Sequence, residues 1–426
     1  MKLNVLITPT QSISGKVRAP PSKAQTHRAL FAGLLSRGTT AIHNPLSCDD
    51  TKASLAVVAS LGASIRMGSE RWDVAGDGTP HPPSGIMDCG ESGVTLRFAI
   101  PIVSLTGASV NLCGSARLME RPLQPLIEAM KQLGVSIKVE GSSITVNSTS
   151  VKGGKVQIPG NVSSQFISGL LLAGPLMEEG LDIAVTSGLE SRGYVSLTIR
   201  AMKRHGVVVQ ANSEMSLFRV PPRQRYLAAS HIIPGDYSSA AFLMSVAAIT
   251  GSGITITGLS RDESEPDSAF LKILGQMGVR STFSSDGLLM EEGGTLRAST
   301  VDITDCPDLG PVTAALATSA DGKTKIIGAE RLRYKESDRL LATATELRTL
   351  GARIEVIEDG WLVSGPRILR GGTVESHGDH RIAMALTVAA LNAAQPVTIR
   401  NAQSVNKSYP TFFDDIRSLG VEVAER

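Results

Sequence analysis

Six short stretches share one shape: Ser60-Leu-Gly-Ala-Ser-Ile, Gln132-Leu-Gly-Val-Ser-Ile, Arg204-His-Gly-Val-Val-Val, Gln276-Met-Gly-Val-Arg-Ser, Thr349-Leu-Gly-Ala-Arg-Ile and Ser418-Leu-Gly-Val-Glu-Val. Their glycines, Gly62, Gly134, Gly206, Gly278, Gly351 and Gly420, lie 72, 72, 72, 73 and 69 residues apart. One period held through six copies marks a repeat architecture. Each glycine follows an amphipathic stretch and precedes an alternating β-branched run. That suits a left-handed residue closing a helix just before a strand. Polar turns follow in several copies, as in Val139-Glu-Gly-Ser-Ser and Ile357-Glu-Asp-Gly-Trp, and predict hairpins.

Between successive copies runs a second helix that is apolar nearly all round: Arg28–Leu35, Leu96–Leu105, Phe166–Leu172, Ala240–Ile249, Val312–Ala317 and Ile382–Leu391. A helix without a polar face is a buried helix. The repeat is thus a unit of about 70 residues of mixed helix and strand. Six such units fit an α/β (α+β) protein of two similar domains, three units each, with sheets and outer helices around the buried ones. The division is expected near His231–Pro234. If the first strand, Leu3–Val17, crosses over to complete the second domain, two strands join the halves. The domains are then residues 1–18 with 233–426, and residues 19–232, in a geometry that predicts hinged closure on substrate.

Composition agrees with two large cores. In 426 residues, 42% are hydrophobic, 19% charged and only 4% aromatic, so Leu, Ile, Val, Ala and Met must fill the interior. A net charge of +2, with no basic run interleaved with aromatics, argues against a nucleic-acid partner. The four cysteines, Cys48, Cys89, Cys113 and Cys306, have neither disulfide nor zinc spacing and read as reduced thiols. The apolar run at the N-terminus is too short for a signal peptide, and no segment is long enough for a membrane span. A cytoplasmic protein without a membrane partner is expected, and a monomer, since each domain can bury its own core.

The few charges are concentrated where the buried helices begin. Those starts read Pro21-Ser-Lys, Gly90-Glu-Ser-Gly, Val162-Ser-Ser-Gln, Gly235-Asp-Tyr-Ser-Ser, Asp308-Leu-Gly-Pro and Gly378-Asp-His-Arg. Unpaired N–H groups and the positive end of the helix dipole collect there and favour phosphate or carboxylate. Lys23, Arg28, Arg97 and Arg381 stand at or beside these starts, and Ser163, Ser164 and Gln165 offer neutral donors at another. Three further stretches depart from an ordinary solvated face. Arg121 precedes a proline-started helix in Met119-Glu-Arg-Pro-Leu-Gln-Pro-Leu. Lys335, Glu336, Asp338 and Arg339 crowd into Leu332-Arg-Tyr-Lys-Glu-Ser-Asp-Arg-Leu, where Ser-Asp reads as a helix cap. Lys407 lies ahead of the last helix in Val405-Asn-Lys-Ser-Tyr-Pro. Acids and bases mixed at helix starts allow both anion binding and proton transfer.

Taken together, Pro20-Pro-Ser-Lys-Ala-Gln-Thr-His-Arg-Ala, Gly90-Glu-Ser-Gly-Val-Thr-Leu-Arg, Glu120-Arg-Pro, Ser163-Ser-Gln-Phe, Lys335-Glu-Ser-Asp-Arg-Leu, Asp379-His-Arg-Ile-Ala-Met and Asn406-Lys-Ser-Tyr-Pro resemble the enolpyruvyl transferases, specifically those that accept shikimate 3-phosphate. The resemblance implies two domains of three βαβαββ units each. It also implies transfer of the enolpyruvyl group of phosphoenolpyruvate to the 5-hydroxyl of shikimate 3-phosphate, by addition and elimination through a tetrahedral ketal, in the pathway toward chorismate and the aromatic amino acids. No metal or organic cofactor is implied. Lys23, Gly93, Arg121, Gln165, Arg339, Arg381 and Lys407 match the phosphoenolpyruvate set. Lys23, Arg28, Ser163, Ser164, Gln165, Ser191, Asp308 and Lys335 match the shikimate 3-phosphate set, with Tyr194 in the stretch that faces the ring. Asp308 and Glu336 match the acid–base pair, with Lys23 assisting at the leaving phosphate.

The chain departs from the family pattern at Ala24, where a serine is common, at Glu91, usually asparagine, and at Arg331, often asparagine. Two other readings compete. The related transferase acting on UDP-N-acetylglucosamine carries a reactive cysteine shortly before the arginine equivalent to Arg121; here Gly114–Glu120 has none. A noncatalytic, repeat-built binding module would lack the acid–base residues, yet Asp308, Glu336 and Lys23 are all present.

Overall fold

The computed structural model describes residues 3–149, 151–262 and 265–426. It divides into two compact units: the N-terminal residues through Pro20 with Pro234–Arg426, and Pro21–Ile233. All six repeat glycines adopt positive φ, from 79° at Gly206 to 106° at Gly62, as the sequence pattern predicts. Each ends an outer helix with a backbone turn that most side chains would strain.

Each copy builds one sheet, with parallel pairing on one side and antiparallel pairing on the other. In the fifth copy, Thr300–Asp302 runs parallel to Gly322–Ile327, which pairs antiparallel with Gly360–Gly365, itself paired to Arg353–Ile357. The expected hairpin at Ile357-Glu-Asp-Gly closes with Ile357 opposite Gly360. The hairpin at Glu140–Ser143 closes the same way, with Gly141 at φ 58°.

The six apolar helices are Lys23–Leu34, Gly93–Val103, Ser164–Ala173, Tyr237–Thr250, Gly310–Ala317 and His380–Ala390. Three lie in each unit, around cores that include Phe31, Phe98 and Phe166 in one and Phe242, Phe412 and Trp361 in the other. A side chain such as Phe242, with no exposed surface, contributes about 3–5 kcal/mol by the cost of truncating such residues. Burying these helices has a local consequence. Their N-termini cannot face bulk water on all sides, so side chains must cap them. Ser22, Ser92, Ser163, Asp236 and Asp379 each accept a backbone N–H of the helix that follows.

The first strand differs from expectation. Leu3–Val17 is not one strand but part of two, Val5–Ile7 and Gly15–Arg18, in different sheets. Val5–Ile7 sits between Val397–Arg400 and Val423–Glu425, completing the last copy, whereas Gly15–Arg18 runs parallel to Ile254–Thr257 and opens the fourth. Pro9 explains the break, because it has no N–H to donate to a ladder. The repeat is therefore circular. Tyr226–Leu227 and Ser230–Ile232 likewise supply the parallel edge of the first copy's sheet, beside Ser36–His43.

All four cysteines are free, and among the described residues no helix is long and apolar enough to cross a membrane.

Candidate active site

In the unit that holds Pro234–Arg426, charged groups converge on Arg339, the first residue of the helix Arg339–Thr349. Asp338 caps that helix, accepting from Leu341 N at 3.0 Å. Capping fixes the backbone of Ser337–Arg339 and turns the arginine inward, where it is 1% exposed. Arg339 Nε and Nη2 donate to Asp379 at 2.7 and 3.2 Å, Nη1 to Asp308 at 2.9 Å, and Nη2 to Glu336 at 2.6 Å. One guanidinium thus holds three carboxylates, a use its planar fork of donors permits and a lysine's does not.

Three other cations complete the cluster. Lys335 Nζ lies 3.4 Å and Arg381 Nη2 3.2 Å from Asp308, and Lys407 Nζ lies 3.9 Å from Glu336. Arg381 also donates to the Ser238 carbonyl at 3.2 Å. Asp308 precedes the fifth buried helix on the short turn Pro307–Leu309, and Lys407 ends the turn Ala402–Lys407. The structure brings together Asp308, Lys335, Glu336, Arg339, Arg381 and Lys407, all singled out from sequence.

The electrostatics follow from that packing. Burial opposes the charge on Asp308, but Arg381, Lys335 and Arg339 together hold its carboxyl well below the usual carboxylate range. Burial pulls the Lys335 ammonium down to about 8, against the attraction of Asp308. For Arg339, burial is outweighed by Asp379, Glu336 and Asp308, which hold it charged.

In the Pro21–Ile233 unit, Lys23 begins the first buried helix and pairs with Asp50 at 2.8 Å. Gly93 begins the second, and a Cβ built there would meet Arg121 Nη1 at 3.0 Å and Cζ at 3.2 Å. Glycine at 93 thus lets the buried Arg121 guanidinium lie against the helix start. Arg97, one turn on, donates to Gln165 Oε1 at 2.8 Å and stacks over Phe166. Gln165 lies in the first turn of the third buried helix, and Ser163, its cap, accepts from Gln165 N at 3.3 Å. Ser164 opens that helix and is buried. Gly93, Arg121 and Gln165 therefore gather around the ends of two packed helices.

Arg28 is placed differently. It is 2% exposed and donates to Thr198 Oγ1 at 2.8 Å, the Ala24 carbonyl at 2.8 Å and the Tyr194 carbonyl at 2.7 Å. Its guanidinium also lies over the Phe98 and Tyr194 rings. Arg28 therefore ties the first buried helix to the helix Arg192–Arg204, which begins beside Ser191 at φ 55°. At the departures from the family pattern, Glu91 is exposed and Arg331 donates to the Thr304 carbonyl at 2.6 Å.

Sequence reasoning missed two residues of these clusters as site members. Asp379 was legible only as part of a helix start; it caps the sixth buried helix through Arg381 N at 2.9 Å while binding Arg339. Asp50 lies in the acidic first turn of the helix Asp49–Ser60, a pattern that ordinarily signals dipole compensation. No group of three or more His, Cys, Asp or Glu suited to a metal ion occurs among the described residues.

The model of the EPSP synthase (3-phosphoshikimate 1-carboxyvinyltransferase) family matches residues 7–416. A 3-phosphoshikimate 1-carboxyvinyltransferase of Methanocorpusculum labreanum is 38% identical over 423 residues, covering 99% of both chains. One from Clostridium perfringens is 38% identical over 418 residues, covering 98% of each. The solved structure of an EPSP synthase from Acinetobacter baumannii superposes with a TM-score of 0.84 at 26% identity, covering both chains fully.

Proposed function

The chain belongs to the EPSP synthase (3-phosphoshikimate 1-carboxyvinyltransferase) family, and on that premise we propose that it transfers the enolpyruvyl group of phosphoenolpyruvate to the 5-hydroxyl of shikimate 3-phosphate, releasing phosphate. The observation that carries the chemistry is the guanidinium of Arg339 bound at once to Asp308 and Glu336, at 2.9 and 2.6 Å. Two carboxylates held at fixed spacing by one rigid group suit a reaction that must move two protons in turn.

The roles follow from charge and bond accounting. Phosphoenolpyruvate brings a phosphate and a carboxylate, for which Arg121, Arg339 and Arg381 offer forks and Lys23 and Lys407 point charges. Gln165 adds a neutral donor, and Gly93 leaves room for the anion beside Arg121. Ser163, Ser164, Gln165, Ser191, Lys335 and Lys23 would serve shikimate 3-phosphate. Arg28 would act there through the backbone it fixes as much as by direct contact.

Asp308 would take the proton of the 5-hydroxyl as that oxygen bonds to the central carbon of phosphoenolpyruvate. Glu336, protonated from solvent once phosphoenolpyruvate draws Arg339 and Lys407 away from it, would protonate the methylene, making it a methyl in the tetrahedral ketal. Elimination then breaks the bond to phosphate, and Glu336 takes back a methyl proton. The hydroxyl proton held by Asp308 leaves with phosphate, and the charge of Lys23 would assist that departure. Binding of the anion also competes for Arg339 and Lys407, and so loosens Glu336 at the stage when it must exchange a proton.

The four free thiols support a reducing, cytoplasmic setting, and the two separately buried cores support a monomer. The test is phosphate release from phosphoenolpyruvate. Release on adding shikimate 3-phosphate, and none with UDP-N-acetylglucosamine, is expected. Release only with the UDP-sugar overturns the substrate assignment, and none with either overturns the activity.

A further inference from the structure

The second and third buried helices of the Pro21–Ile233 unit cross with their backbones in close approach. At the crossing stands Gly169, where a Cβ would run into the Arg97 carbonyl oxygen and lie 3.3 Å from Phe98 Cα. An approach that any side chain would block brings Arg97 of one helix beside Gln165, one turn before Gly169 on the other. Arg97 is 6% exposed, and its guanidinium is held from three sides. Nη1 donates to Gln165 Oε1 at 2.8 Å, Nη2 to the Pro122 carbonyl at 3.4 Å, and Cζ lies 5.2 Å from the centroid of the Phe166 ring. Pro122 directly follows Arg121, whose own guanidinium lies against Gly93, one turn before Arg97. One side chain therefore touches both the Gln165 amide and the segment that carries Arg121.

A guanidinium donates and never accepts, so only the oxygen of the Gln165 amide can face it. Turning the amide over would set its NH2 group against Arg97, donor to donor. Nε2 must then lie on the far side, and among the described residues no protein group accepts from it. We propose that Arg97 is a positioning residue: it fixes the Gln165 amide with its oxygen inward and its two N–H donors presented to the oxygens of phosphoenolpyruvate. This deepens the proposed transferase reading and rests on it. A glutamine amide left to rotate offers an anion its oxygen as readily as its nitrogen, and the oxygen repels the anion. Fixing the amide removes that wrong face and the entropy of choosing between the two. The bond from Arg97 is charge-assisted, and it polarises the amide so that its N–H groups donate more strongly. Arg97 thus acts on the anion through Gln165, and favours a ligand that accepts hydrogen bonds over one that donates them.

The experiment is a double-mutant cycle on the KM for phosphoenolpyruvate, in the full-length protein with shikimate 3-phosphate as acceptor. Arg97→Met and Gln165→Met are each expected to raise that KM about tenfold, the usual worth of a hydrogen bond to a charged group, with kcat within about threefold of wild type. The double variant is expected to match Gln165→Met within about twofold, because Arg97 then has no amide to orient. Arg97→Lys keeps the charge and a donor for Oε1, so its KM should fall between those of wild type and Arg97→Met. A KM unmoved by either substitution of Arg97 overturns the proposal. So do effects that multiply to about a hundredfold in the double variant, since Arg97 would then meet the anion itself or act through the fold at large. If Arg97→Met fails to fold, Arg97→Lys replaces it in the same cycle, and an effect that persists beside Gln165→Met overturns the proposal equally. Wild type without activity on this substrate pair would overturn the transferase reading and this proposal with it, a result distinct from an active enzyme whose variants multiply.

Discussion

Arg339 and Asp379 form a bidentate pair, at 2.7 and 3.2 Å, in which neither side chain has more than 1% of its surface exposed. Ser337 Oγ adds a hydrogen bond to the same carboxylate at 3.0 Å. Asp379 thus fixes one edge of the guanidinium, so that its other edge presents Asp308 and Glu336 at set positions. Removing one partner of a buried pair leaves the other charge uncompensated. Asp379→Asn is therefore expected to destabilise the protein by about 3 kcal/mol in denaturant unfolding. Unfolding free energies equal to wild type would show that the pair is not under such constraint.

Arg339→Lys tests the fork. A lysine keeps the charge but cannot hold three carboxylates in one plane. The expected loss in kcat is about 10²-fold or more, because the fork that sets the two carboxylates in place is removed. Retention of more than about a tenth of wild-type kcat would contradict this role.

Gly93→Ala places a Cβ 3.0 Å from Arg121 Nη1. The guanidinium must shift, so the KM for phosphoenolpyruvate should rise about tenfold while that for shikimate 3-phosphate stays within about twofold. Equal effects on both would mean that the crowding spreads beyond Arg121.

Lys335 links activity to alkaline pH. Its ammonium, pulled down by burial to about 8, loses charge in the folded protein well before its ordinary 10.5. The KM for shikimate 3-phosphate is expected to rise above pH 8, and Lys335→Arg to flatten that rise, since a guanidinium stays charged. Stability runs the other way. Between pH 8 and 10.5 the unfolded chain binds more protons at this residue, so its contribution to stability grows with pH there.

Two buried histidines give stability a pH dependence of the same sign on the acid side. His205 and His231 share an Nε2–Nε2 contact of 2.8 Å, and burial lowers them to about 4 and about 3 from 6.5. Below pH 6.5 the unfolded chain takes up these protons and the folded one does not, so stability falls as pH drops from 6.5 toward 4. His231→Gln should shallow that slope in urea titrations. An unchanged slope would assign the acid sensitivity elsewhere.

Much of this architecture was legible because the repeat writes it six times. Gly62 and its five counterparts announce helix ends through the same positive φ, and the apolar helices announce burial through their lack of a polar face. The cations of the Arg339 cluster were legible as motifs. Asp308 and Glu336 were legible with them, but Asp379 and, beside Lys23, Asp50 sit where an acid ordinarily caps or balances a helix, and only three dimensions show that each also binds a cation. Leu3–Val17 reads as one strand by composition, and Pro9 divides it between two sheets. Arg28 reads as an anion ligand from its place at a helix start, and only three dimensions show that it also ties that start to Thr198 and Tyr194.

The most direct test of the Asp308–Glu336 pair is the reaction run in D2O, with the product's vinyl methylene followed by NMR. Addition followed by elimination makes that carbon a methyl before it loses a proton. Wild type should therefore release phosphate and carry solvent deuterium in the methylene. Glu336→Gln should slow both by about 10²- to 10⁴-fold, the usual worth of a positioned proton donor. Turnover that leaves the methylene free of deuterium, or a Glu336→Gln enzyme that exchanges it at the wild-type rate, would contradict the assignment.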